Sequence, residues 1–190
     1  LAAAEGTVLD ACAAPGGKSL LIADLGAGRT RVVAAEASPR RLRTLESLRR
    51  RWGATQVQVV AADGLRPPFA RPFDAVLLDA PCSGLGTLGR RPDVRWRCGP
   101  DEPERQSRRQ RALLEAQAAL VRPGGRLVYA TCSVEQEENE QVVDPFLAAH
   151  AEFEVEGLPD WAERFRDGRF LRLEPAAGGD AFFVARLRRR

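Results

Sequence analysis

A doubly wound, mostly parallel α/β sheet of seven strands is the fold this sequence predicts, and three observations predict it. Apolar runs and helical patterns alternate for five successive units, the chain order that produces parallel strands joined by right-handed crossovers. A turn of small residues, Ala13-Ala14-Pro15-Gly16-Gly17-Lys18-Ser19, joins the first run to the first helix. Carboxylates and cysteines stand at the ends of the apolar runs, where open sheets of this kind bind ligands.

The elements follow in order. Residues 7–12 are a short apolar strand, and the glycine turn after it leads into a helical pattern over 20–25 that ends near Gly26 and Gly28. Strand, glycine turn and helix in that order bring backbone amides close to a ligand at a helix N-terminus. A second strand over 31–37 carries Glu36, and Ser38-Pro39 supplies an N-cap and first-turn pair for a helix over 40–52, stopped by Gly53. The third strand, 57–62, ends in Asp63-Gly64, and the fourth, 73–78, bears Asp79 at its tip. Residues 81–100, rich in Gly, Pro and Arg, form a long loop without periodicity, of the kind that is usually functional. A helix over 104–121 places Leu113, Leu114, Ala118 and Val121 on one face, and Pro123-Gly124-Gly125 ends it. The fifth strand, 126–130, leads to Thr131-Cys132-Ser133 and an acidic helix start at 135–140 that runs to about His150. Two last strands, 153–157 and 181–188, with no clear helix between them, predict a hairpin on one edge.

A chain of 190 residues is one domain with a single substantial core. No apolar run approaches the roughly 18 to 20 residues of a membrane span, and no signal-peptide pattern opens the chain; a cytoplasmic protein that makes no use of a membrane is expected. The four cysteines, Cys12, Cys82, Cys98 and Cys132, are expected to be reduced, since three lie at or just after adjacent strands of a chain that is neither short nor secreted in character. With no CxxC pair and His150 the only histidine, no metal is expected. The net charge of +3 does not by itself call for a polyanionic partner. Clusters such as Arg49-Arg50-Arg51, Arg90-Arg91 with Arg95 and Arg97, Arg105 with Arg108, Arg109 and Arg111, and Arg188-Arg189-Arg190 could nonetheless neutralise phosphates. The group from Arg90 to Arg97 stands out because it leaves the loop that carries Cys82. No methionine occurs anywhere, so an N-terminal portion is expected to be missing. Oligomeric state is open, with a monomer expected.

The chemistry concentrates between residues 75 and 133, where Asp79-Ala80-Pro81-Cys82-Ser83-Gly84 and Ala130-Thr131-Cys132-Ser133 put a thiol at the end of each of two strands. A lone cysteine is most often a small buried hydrophobe. Two, flanked by Pro, Ser, Gly and Thr, point instead to nucleophilic chemistry, with thiolates favoured by nearby positive charge. The residues alone leave open which thiol attacks. Asp79 could bond to the ring nitrogen or amino group of a cytosine. The turn at Cys12 to Lys18 is not a GxGxxG motif, but Glu36, 20 residues past Gly16, is placed for ribose hydroxyls, and Asp63 for the amine of an adenine. Lys18 is the one lysine beside 28 arginines, which marks a site that wants a compact ammonium with an adjustable pKa.

Leu9-Asp10-Ala11-Cys12-Ala13-Ala14-Pro15-Gly16-Gly17-Lys18, Asp79-Ala80-Pro81-Cys82-Ser83-Gly84-Leu85-Gly86, Arg91-Pro92-Asp93-Val94-Arg95-Trp96 and Tyr129-Ala130-Thr131-Cys132-Ser133 with Glu138-Asn139-Glu140 together resemble the motifs of the Sun/Nop-type RNA cytosine-C5 methyltransferases, over nearly the whole chain. The resemblance implies the Rossmann-like fold of S-adenosylmethionine-dependent methyltransferases, with that donor held by Cys12, Ala13, Ala14, Pro15, Gly16, Gly17, Lys18, Glu36, Asp63 and Asp79. It implies that Cys132 attacks C6 of the base while Cys82 assists release, with Asp79 and Lys18 also in the catalytic set. RNA, ribosomal or transfer, is the implied partner, with Arg90, Arg91, Arg95 and Trp96 as candidate contacts. Glu36 stands where the family more often has Asp, and Asp180-Ala181-Phe182-Phe183 departs by one residue from the family's Asp-Gly-Phe-Phe. In that family an RNA-binding segment usually precedes the first motif, and it is the portion expected to be missing. The competing readings are a catalytically idle RNA-binding or assembly factor and a DNA or small-molecule methyltransferase.

Overall fold

The computed structural model describes residues 6–175 and 179–190. The chain divides into two compact units: one comprises the residues up to Asp79 with Glu115–Val128 and the last two residues, the other Ala80–Leu114 with Tyr129–Arg188.

In the first unit β1 (Gly6–Asp10), β2 (Thr30–Glu36), β3 (Val57–Ala61), β4 (Phe73–Asp79) and the opening part of β5 (Val121–Thr131) take the order β3-β2-β1-β4-β5. β1 pairs in parallel with β2 and β4, and β2 with β3. The jump in order from β3 back across to β4 is the reversal at which such sheets open a crevice beyond their strand C-termini. α1 (Gly17–Leu25) and α2 (Pro39–Trp52) are the crossovers. Both ends of α2 follow from local chemistry: Ser38 Oγ accepts from the Arg41 N–H at 3.4 Å, Pro39 opens the first turn, and Gly53 at φ 66° closes it. Val8, Leu9, Ala34, Leu45, Val76 and Leu78 are buried in its core.

The second unit holds α3 (Val94–Arg97), the first part of α4 (Glu102–Ala118), the end of β5, α5 (Glu140–Ala149), β6 (Phe153–Val155), β7 (Arg166–Asp167), β8 (Phe170–Leu173) and β9 (Phe182–Arg189). Its strand order is β5-β9-β8-β7, with β6 against β9; the β7–β8 and β8–β9 pairings are antiparallel. Tyr129, Phe170 and Phe183 stack edge to face in its core.

The α/β class with a mostly parallel sheet stands as expected, and the strands number nine among the described residues. The two additional ones, β7 and β8, lie between the pair expected to form a hairpin, so the antiparallel hairpin is β8–β9. The helix expected to reach 121 ends at Ala118, and Pro123-Gly124-Gly125 falls inside β5. There the Phe73 N–H donates to the Leu120 carbonyl at 2.7 Å and draws the chain into the sheet early, while Gly124 at φ 72° absorbs the irregularity. The long loop after Cys82 contains a 3₁₀ turn at Leu85–Thr87 and the short α3.

Candidate active site

The first unit gathers its polar side chains at the strand ends. Gly16 caps α1 at φ 116°, and a Cβ there would lie 2.5 Å from Leu45 Cδ1 on α2, so only glycine lets the turn pass. The turn leads into the N-terminus of α1 at Gly17, the kind of helix end that suits a polar or anionic ligand group. Asp10 ends β1 fully buried; its Oδ2 accepts from Ser19 Oγ at 2.6 Å, whereas Oδ1 has no hydrogen-bond partner among the described residues. Glu36 ends β2, also buried: Oε1 accepts from the Ser38 N–H at 2.8 Å and Oε2 accepts no hydrogen bond, with Arg41 Nη1 at 3.5 Å. Lys18 Nζ pairs with Asp79 Oδ2 at 2.7 Å. Asp63 is exposed, its Oδ1 turned to the Leu65 N–H at 3.0 Å. Cys12 is half-buried, between buried Ala11 and Ala13. Two buried acceptor oxygens without hydrogen bonds and a glycine cradle suit a donor that carries hydroxyls and an ammonium, and S-adenosylmethionine fits that description.

Asp10 was not singled out from the sequence, although an acid closing an apolar strand is a signal. Burial pushes its carboxyl from an ordinary 3.8 to about 6, against the opposing hydrogen bond from Ser19 and with help from the Asp79 charge. The folded state therefore binds this proton more tightly than the unfolded chain, so stability falls as pH rises from about 4 to 6. Asp10→Asn, which does not titrate, is expected to gain about 2 kcal/mol relative to the parent between pH 4 and pH 7. Thermal melting without donor across that range checks it; a difference that is flat with pH contradicts the assignment.

The second unit brings the two thiols together. Cys82 and Cys132 are both half-buried, with their sulfurs 3.1 Å apart and no disulfide. Two sulfurs this close do not both ionise in a low-dielectric setting. The sulfur contact itself, then burial, then the charges of Cys132 and Glu138 push the Cys82 thiol far above its ordinary range. At least one of the two therefore keeps its proton, and that S–H is within reach of the other sulfur. Cys98 is also pushed up, by burial and then by Glu102, Glu138 and Glu135, which leaves it a poor nucleophile.

Beneath the pair lies a carboxyl group that the sequence reading did not single out as a site residue. Glu138 is fully buried and accepts from the Ser83 N–H (2.8 Å), Ser83 Oγ (2.5 Å), Ser133 Oγ (2.5 Å) and Gln110 Nε2 (3.0 Å). Backbone contacts draw the same loops together: the Gly86 N–H donates to the Cys132 carbonyl at 3.0 Å, and a Cβ on Gly86 would lie 2.8 Å from that oxygen.

Of the candidate RNA contacts, Trp96 is 86% exposed on α3, whose buried Val94 anchors it. Arg91 and Arg95 are exposed, and the Arg95 guanidinium lies 5.9 Å from the Trp96 ring centroid. Arg90 is engaged by both oxygens of Asp180. Among the described residues no helix is long and apolar enough to cross a membrane, and no group of His, Cys, Asp or Glu is arranged to hold a metal ion.

Comparison with known proteins agrees with this picture. A family model described as 16S rRNA methyltransferase RsmB/F matches residues 2–188. A Bacillus subtilis protein named probable ribosomal RNA small subunit methyltransferase B is 36% identical over 193 residues, covering 97% of this chain and 43% of that protein. A Synechocystis protein of the same name is 37% identical over 195 residues, covering 97% and 43%. The chain thus spans less than half the length of these relatives. The crystal structure of NSun6 from Pyrococcus horikoshii with SFG superposes with a TM-score of 0.84 at 32% identity, over 97% of this chain and 48% of that one.

Proposed function

Since the chain belongs to the RsmB/F family of 16S rRNA methyltransferases, we propose that it transfers a methyl group from S-adenosylmethionine to C5 of a cytosine in RNA, ribosomal or transfer, through a covalent bond from Cys132 to C6. The observation that carries this reading is the pair of half-buried sulfurs 3.1 Å apart, without a disulfide, each next to a strand end.

Cys132 is the nucleophile, its thiolate stabilised by the Cys82 S–H. Addition of its sulfur to C6 breaks the C5–C6 π bond and leaves the electron pair at C5. S-adenosylmethionine, when bound, would supply a methyl carbon to take this pair, the electrons of its bond to sulfur staying on the departing thioether. Transfer of the C5 proton to a solvent water then restores the double bond and returns the sulfur–C6 electrons to Cys132, whose departing sulfur is stabilised by the Cys82 S–H, the release that Cys82 assists. Asp79 accepts from the amino group or protonated ring nitrogen of the cytosine, and Lys18, its ion-pair partner, keeps that carboxylate oriented. The turn from Cys12 to Lys18 would hold the donor, with Glu36 toward its ribose and Asp63 toward its adenine amine. A paired base is out of reach of a thiol, so the target is single-stranded or flipped out of its stack. Arg91, Arg95 and Trp96 supply phosphate and stacking contacts, with Arg90 holding its loop through Asp180.

Tritiated methyl transfer by the full-length protein to RNA and to DNA tests this, with bisulfite sequencing to locate the product. Label in RNA at cytosine C5 is expected. Label in DNA alone, or in RNA at another atom, contradicts the proposal.

A further inference from the structure

Resting on that reading, we propose that Glu138, with Asn139 beside it, is a positioning residue: a buried clasp that fixes the two cysteine-bearing loops at one spacing. Its four donors come from the two sides that must be joined. Ser83, next to Cys82, contributes its N–H and hydroxyl; Ser133, next to Cys132, contributes its hydroxyl; Gln110 of α4 donates to Glu138 and, at 2.9 Å, to the Pro81 carbonyl. Two oxygens accepting four hydrogen bonds use the full acceptor capacity of a carboxylate. No hydroxyl side chain has that reach or capacity, and a buried group so completely satisfied rigidifies what it touches. The Tyr129 phenol O–H donates to the backbone carbonyl of Glu138 at 2.6 Å and ties it down.

Asn139 completes the clasp around the nucleophile. Its Oδ1 accepts from Thr131 Oγ1 at 2.6 Å and its Nδ2 donates to the Ser133 carbonyl at 3.1 Å, so the residues on either side of Cys132 are held by one side chain. Like Glu138 it is fully buried. The two residues that start the helical segment after β5 therefore set where both sulfurs sit, without either being a catalytic residue.

The test uses the full-length protein and two readouts. The first is bridging of Cys82 to Cys132 by a short bifunctional thiol reagent, dibromobimane, with the bridged peptides identified by mass spectrometry; it needs no RNA. The second is the single-turnover rate and amplitude of covalent complex formation with 5-fluorocytosine RNA. Glu138→Ala is expected to slow bridging at least about tenfold and adduct formation about 10²-fold, at undiminished amplitude. Glu138→Gln retains the shape, and the serine hydroxyls can turn to accept from its amide, so it is expected to restore both rates to within about threefold of the parent. Melting and donor affinity identify the folded fraction. Where Glu138→Ala does not fold, Ser133→Ala, which removes one donor from one loop, is expected to slow bridging about threefold. Bridging in folded Glu138→Ala at the parental rate, or bridging in Ser133→Ala at that rate, overturns the clasp. A parent that bridges but forms no adduct overturns the proposed function and leaves the clasp standing.

Discussion

Cys132→Ala is expected to lower methyl transfer by about 10⁴-fold or more and to abolish the covalent complex with 5-fluorocytosine RNA. The size of the effect follows from the route proposed. Without sulfur addition at C6, C5 of cytosine carries no electron pair able to take a methyl group, and no neighbouring side chain can replace the covalent step. Donor binding is expected to persist, because the groups assigned to it lie in the first unit, whereas Cys132 belongs to the second. Radiolabelled turnover, adduct gels and calorimetry with donor read the three quantities separately. Residual turnover within tenfold of the parent contradicts the assignment.

Cys82→Ala is expected to lower turnover by about 10²- to 10⁴-fold, the usual contribution of a group that handles a proton, while a protein–RNA adduct accumulates with unmodified RNA. The two sulfurs are 3.1 Å apart and both side chains are half-buried, so one thiol can carry the proton that the other's departure requires. Deleting Cys82 leaves the nucleophile in place and removes the partner that assists its departure. The adduct is therefore formed and not resolved. Adduct accumulation in Cys132→Ala instead would exchange the two roles.

Much of this was legible in the residues because local chemistry and tertiary need coincide there. Gly16 stands where φ is 116°, Ser38-Pro39 where α2 starts, and each cysteine where a strand gives way to a loop. The departures have definite causes. β7 and β8 are only two and four residues long, too short to read as strands from the sequence; pairing of β8 with β9 and of β7 with β8, not propensity, makes them strands. Pro123-Gly124-Gly125 reads as a helix stop, yet lies inside β5 because the backbone beyond Leu120 is already hydrogen-bonded into the sheet. Glu138 sits in an acid-rich stretch that resembles a solvated helix start. Its burial depends on Ser83, 55 residues away, and on Gln110, 28 residues away, and no local pattern encodes such distant donors. Asp10 differs, since an acid closing an apolar strand is a local signal, and what the sequence does not show is its burial and an Oδ1 without a hydrogen bond among the described residues.

The most direct measurement is peptide mapping by mass spectrometry of the covalent complex that the full-length protein forms with 5-fluorocytosine RNA and donor. The nucleotide is expected on the peptide that contains Cys132, with C5 methylated and the fluorine retained. A nucleotide on the Cys82 peptide, or methylated RNA with no covalent complex at any time, would contradict the account.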